Sequence, residues 1–179
     1  MRLRFCESEI DYWAKRYTEC QHEDNREREE QLIGFREKIL RRGYLTQYEL
    51  YTVARWKLYV YGEDAAEPTL ENPDDHIKIA TRQAFTSSND WEKLLSLTQL
   101  QGIGESVASA ILHLYDKGQY PILDIHALWS VGLKFRQRSS YPFWPKYIAF
   151  CRDIANRNGI EMRTLDRALW RYSYDSEER

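Results

Sequence analysis

The residues of this chain best suited to chemistry lie between Leu97 and Trp129. Leu100-Gln101-Gly102-Ile103-Gly104 sets two glycines one residue apart, directly ahead of a small-residue helix from Ser106 to Tyr115. Such glycines let the backbone turn tightly with positive φ and no side chain in the way. The following helix opens with N–H groups that lack an intrahelical partner, and these can hold a phosphate without any lysine. Ile103 is expected to anchor the turn by packing inward between the two helices. Ala108 and Ala110 permit close helix packing. The pattern is that of a helix-hairpin-helix, which grips a nucleic-acid backbone through main-chain groups; the plainer alternative is a turn and nothing more. A tight turn at Gly118-Gln119-Tyr120-Pro121 follows, and then Asp124 opens a helix reading IHALWSVG. Asp is a favoured N-cap at such a position.

The segment Leu100 to Trp129, LQGIGESVASAILHLYDKGQYPILDIHALW, resembles the helix-hairpin-helix base-excision DNA glycosylase superfamily, whose best-known member is endonuclease III. The matching elements are a hairpin of the LPGVG form at Leu100–Gly104, the small-residue helix, and an aspartate in a V-D-x-H-like context at Leu123-Asp124-Ile125-His126. The spacing from Gly104 to Asp124 is also similar. The resemblance implies an endonuclease III-like fold, double-stranded DNA as partner, and Asp124 as the catalytic carboxylate. Such a group can stabilise positive charge developing at C1′ as the glycosidic bond breaks, and can orient or deprotonate the attacking water. Capping and catalysis are compatible roles for Asp124.

Two departures narrow the expectation. Gln101 replaces the hairpin proline and brings a side chain able to hydrogen-bond a phosphate. Ser106 stands where bifunctional members carry the Schiff-base lysine, and serine cannot form the imine that leads to β-elimination. The expected activity is therefore hydrolytic base release without lyase chemistry. Adenine-mismatch glycosylases look similar at both points, but they carry a C-terminal four-cysteine iron-sulfur cluster. Here the cysteines are Cys6, Cys20 and Cys151, with no CxxC pair. Neither a metal nor a cofactor is expected, and free thiols suit a reducing compartment.

A flipped base needs stacking faces and polar readers. Trp56, Lys57, Tyr120 and Trp129 are candidates, with core or inter-lobe packing as the alternative for the two Trp and plain solvation for Lys57. Expected DNA contacts are Gln101, Gly102, Ile103, Gly104, Ser106 and His126. To these are added Lys134, Arg136 and Arg138 in KFRQRSSYPFWPK, where basic and aromatic residues interleave without an acid. His126 is equally readable as a structural histidine, and Lys134–Lys146 as an ordinary proline-fixed loop. Arg163, Arg167 and Arg171 share a helical face. They could track phosphates or pair with Asp166 and Glu161.

The elements that must position these groups read as helical. Apolar stripes recur at three or four residues: Ile10, Trp13, Ala14 and Tyr17; Leu32, Phe35 and Ile39 up to Gly43; Leu50, Val53, Ala54 and Trp56; Ile77, Ala80, Ala84 and Phe85. Thr46 and Glu49 form a capping box, Asn72-Pro73-Asp74-Asp75 a helix start, and Asn89 with Glu92 another. Gln21–Glu30 is a charge run, read as a solvated face. Glu63–Glu71 is read as an acidic surface loop.

The expected fold is all-α, with two helical lobes around a central cleft. One lobe takes residues 1–44 and 125–179; the other takes 45–124 and ends in the hairpin. Asp124 would stand at the cleft mouth.

Composition bounds these expectations. The chain has 179 residues, 26 Lys plus Arg and 28 Asp plus Glu, for a formal charge of −2. A wholly basic nucleic-acid coat is excluded; a basic face is not. Aromatics reach 14%, too rich for a disordered chain. No apolar run approaches the roughly 18 residues of a membrane helix, and the N-terminus has no apolar signal core. A cytoplasmic, nucleoid-associated monomer is expected.

Overall fold

Local signals build the helices. In the computed structural model, which describes residues 1–116, 119–133 and 143–176, Thr46 caps α3 (Gln47–Leu58). Its hydroxyl accepts the Glu49 N–H, and the Glu49 carboxylate accepts the Thr46 N–H at 2.7 Å. Asn89 caps α5 (Asp90–Thr98) by accepting the Trp91 and Glu92 N–H groups at 2.9 and 3.2 Å. Gly43 ends α2 (Glu23–Arg42) with φ +79°, the left-handed stop that glycine favours. The charge run becomes the first half of α2 and is mostly exposed. The described residues contain helices and no strands. None of the described helices is long and apolar enough to cross a membrane.

The chain divides into two compact units, residues 22–118 and residues 1–21 with 119–179. The first contains α2, α3, α4 (Asp74–Thr86), α5 and α6 (Glu105–Tyr115). Sequence reasoning grouped residues 1–44 with the C-terminal helices, but α2 lies in the 22–118 unit. Its buried stripe, Leu32 and Ile39, explains this. It packs on α3 and α6, the Tyr115 hydroxyl donates to the Leu32 carbonyl at 3.2 Å, and Arg36 donates to the Leu114 carbonyl. Leu45, Leu50, Val53, Ile77, Leu94, Leu97, Ile111 and Leu112 complete that core. Lys93 and Asp116 form a buried ion pair at 2.5 Å between α5 and the end of α6.

The second unit contains α1 (Ile10–Glu19), α7 (Ile125–Ser130), α8 (Phe143–Asn158) and α9 (Met162–Asp175). Helix α9 packs against α1, α7 and α8. Trp144, Tyr147, Ile148, Cys151, Ile154, Leu165 and Leu169 are its buried centre. The N-terminal segment is tied to the end of α7: the Arg2 N–H donates to Val131 O at 3.1 Å and the Arg4 N–H to Ser130 O at 2.9 Å.

Residues 63–71 depart from the expected acidic loop. Glu63–Glu71 is a 3-10 helix in which Ala66 and Thr69 are fully buried. The α4 cap also shifts by one residue, to Pro73. That frees the Asn72 side chain for a different role.

Candidate functional site

In the 22–118 unit, α5 and α6 are joined by the turn Gln99–Gly104. The Ile103 N–H donates to the Leu100 carbonyl at 3.1 Å, closing a four-residue turn, and Gly102 sits at its third position with φ +76°. Leu100 and Ile103 point inward and are buried, as the anchor role expected of Ile103 requires. Gly102 is required for a second reason. A Cβ there would stand 3.0 Å from both Thr69 Cγ2 and Thr69 N, and 3.2 Å from Pro68 Cβ. The 3-10 helix is therefore the wall against which the turn is formed.

Asn72 completes the support. Its Oδ1 accepts the Gln101 N–H at 2.8 Å, and its Nδ2 donates to the Gln101 and Thr69 carbonyls, each at 2.9 Å. Gln47 holds the carbonyls of Leu70 and Asn72 at 2.9 and 3.1 Å. The Gln101 amide, read from sequence as a phosphate contact, donates instead to the Glu71 carboxylate. Its own N–H is engaged by Asn72.

The two glycines divide the work differently from the expectation that both would adopt positive φ. Gly104 is extended, with φ −83° and ψ 174°, and is the N-cap of α6. It is exposed and has open space around its missing side chain. No side chain caps the first turn of α6, and Ser106 in that turn is half-buried. Trp56 and Lys57 belong to this unit as well, both on α3. Trp56 is buried and Lys57 half-buried.

In the unit built from both termini, Asp124 is the N-cap of α7. Its Oδ1 accepts the His126 N–H at 2.9 Å, and the side chain is half-buried. The stretch leading to it is anchored from α8. Tyr120 is 3% exposed, lies nearly parallel to Trp144 with centroids 6.2 Å apart, and carries the Arg152 guanidinium 4.9 Å from its ring centre. The Tyr147 hydroxyl donates to the Ile122 carbonyl at 3.2 Å. Complete burial pushes that phenol well above its ordinary pKa, and Cys151, Asp166 and Asp124 push it the same way. It is a fixed neutral donor. Tyr120 is thus a core residue in this unit, which corrects its reading as an open stacking face.

His126 also packs within its unit. Its Nδ1 lies 3.1 Å from Ser173 Oγ, and its ring sits beside Trp170 and Tyr174 with centroids 5.1 and 5.9 Å away. Trp129 is half-buried, with the Arg4 guanidinium 4.3 Å from its ring centre. Two of the α9 arginines pair with carboxylates, Arg163 with Asp166 at 2.6 Å and Arg171 with Asp175 at 2.5 Å, and the Arg167 guanidinium lies 5.7 Å from the Tyr17 ring centre. Lys134, Arg136 and Arg138 lie outside the described residues.

Three residues escaped the sequence reading. Asn72 was masked by its place before Pro73, which mimics a helix cap. Arg2 and Arg4 carried no local signal, because the Trp129 and Tyr172 that they meet lie far along the chain.

No family model, curated protein or solved structure matches this chain.

Proposed function

We propose that this protein binds duplex DNA through a helix-hairpin-helix at α5–α6, flips a damaged or modified base out of the duplex stack, and hydrolyses its N-glycosidic bond as a monofunctional glycosylase. The observation that carries the proposal is the Leu100–Gly104 turn. It is held from behind by Asn72 and Thr69, and it ends in a bare, exposed Gly104 that opens α6 without a side-chain cap. First-turn N–H groups presented this way suit a phosphate oxygen, and the helix dipole favours the negative charge. A turn braced before binding loses little conformational freedom on contact.

The chemistry is assigned to Asp124. The bond from the His126 N–H fixes the carboxylate's direction. A carboxylate so held stabilises the oxocarbenium character of the departing sugar and directs water to C1′. The base leaves with its bonding electron pair, water supplies the hydroxyl at C1′, and the proton that water gives up to Asp124 ends on the departing base. Ser106 provides no amine, so the sugar is left as an intact abasic site.

A second reading, a DNA-binding protein without catalysis, is favoured by the burial of Trp56 and Tyr120, which removes two of the expected stacking faces. Binding itself is tested by gel shift on a short duplex across a salt series. Saturable binding that weakens with salt is expected. Gly104→Leu, which places a side chain over the first turn of α6, lowers affinity about tenfold while leaving the helical circular dichroism unchanged. Absence of saturable binding by the wild type contradicts both readings.

A further inference from the structure

An open groove of about 400 Å³ lies on the unit built from both termini, lined by Arg2, Leu3, Arg4, Trp129, Gly132 and Tyr172. Its floor is tied to α7 and α9. Besides the two main-chain bonds to Ser130 and Val131, the Tyr172 hydroxyl donates to the Arg4 carbonyl at 2.9 Å. Phe5 packs on the Tyr172 ring, centroids 4.7 Å apart. Three hydrogen bonds and an aromatic contact hold this segment in place. Arg2 and Arg4 both line the groove.

The groove's chemistry is specific. Arg4 donates through Nε to the Trp129 carbonyl at 2.8 Å, and its guanidinium stands 4.3 Å from the indole centre. This fixes a cation on an aromatic plane and aims its remaining N–H groups away from that carbonyl. Both arginines are exposed, and among the described residues neither is within ion-pair distance of a carboxylate. Two guanidinium groups without a counter-charge, beside a Trp and a Tyr, combine a fork for phosphate oxygens with a flat stacking surface.

We propose that this groove binds a nucleoside phosphate: Arg2 and Arg4 take the phosphate, and the Arg4–Trp129 stack takes the base. The phosphate ester can belong to a free mononucleotide or to a nucleic-acid strand.

Titration calorimetry on the full chain tests the site with AMP, adenosine, inorganic phosphate and the dinucleotide pApA. AMP is expected to bind saturably, and both adenosine and phosphate at least about tenfold more weakly, because each lacks half of the recognition. Arg2→Gln, which keeps the main-chain bond to Val131, is expected to weaken AMP about tenfold with an unchanged thermal midpoint; Arg2→Lys recovers part of the loss. Tighter binding of pApA than AMP assigns the site to a strand, and equal binding to a free nucleotide; either supports the proposal. It is overturned if wild-type AMP binding is not saturable, if phosphate binds as well as AMP, or if Arg2→Gln leaves AMP affinity unchanged.

Discussion

Asn72 grips Gln101 by both of its main-chain polar groups, taking the N–H at 2.8 Å and giving to the carbonyl at 2.9 Å. The side chain is 6% exposed, so its removal leaves the partly buried N–H and carbonyl of Gln101 without this partner, while the Thr69 carbonyl keeps the Asn72 main-chain N–H at 3.4 Å. Asn72→Ala is expected to cost about 2 kcal/mol in denaturant unfolding. It should also weaken duplex binding, because the turn must then be ordered on contact. Asn72→Asp keeps the acceptor and loses the donor, and should fall between the two in affinity. Urea titration with parallel gel shifts measures both effects.

Gly102 and Gly104 are expected to respond oppositely to the same methyl group. Gly102→Ala combines a left-handed φ with contacts of 3.0 Å to Thr69, and should cost about 2 to 4 kcal/mol. Gly104→Ala meets open space in extended backbone and should stay within about 0.5 kcal/mol of wild type. Similar losses at both positions would show that the 3-10 helix is not the support of the turn.

Asp175 supplies a pH signature in the other unit. Burial pushes its carboxyl upward, but Arg16 at 2.5 Å and Arg171 at 2.5 Å outweigh this and hold it below the ordinary carboxylate value. A pKa lowered by folding contributes stability above the unfolded value, and that stability is lost as the pH falls through the folded one. Asp175→Asn should therefore cost about 1 to 2 kcal/mol at neutral pH, allowing for the partly exposed Arg16. The difference from wild type should shrink below about pH 4. Thermal melts across that range give the curve.

The thiols should divide by burial. Cys6 and Cys20 are exposed, whereas Cys151 is fully buried in α8, and burial pushes its thiol far above the ordinary range. Native protein should react rapidly at Cys6 and Cys20 with a thiol-specific chromogenic reagent, and at Cys151 only on unfolding. Rapid native labelling of Cys151 would contradict the packing of α8.

Features set by neighbours in sequence were legible, and features set at a distance were not. The Thr46–Glu49 box, the Asn89 cap and the Gly43 stop each depend on residues within a turn, and each forms where the residue types predict it. The 3-10 helix Glu63–Glu71 looked like a loop because its acids and Pro68 break the usual helical signals. Its order comes from Thr69 and Asn72 meeting a turn 29 or more positions away. The placement of α2 was misread for the same reason: its stripe is visible in sequence, but the surface it covers is not. Among candidate site residues, Gly102 and Ile103 have the conformation and burial their types require. The partners of Tyr120 and Gln101, Trp144 and Glu71, lie far along the chain and leave no local signal.

Base release decides the central claim. Wild type and Asp124→Asn are incubated with a panel of duplexes bearing deaminated, oxidised, alkylated and mismatched bases, and free base is quantified by mass spectrometry. The account predicts release from at least one duplex by wild type, a loss of about a hundredfold or more in Asp124→Asn with duplex binding retained, and no borohydride-trapped covalent complex. Equal duplex binding by the two proteins with no base released by either, or a trapped imine, would contradict it.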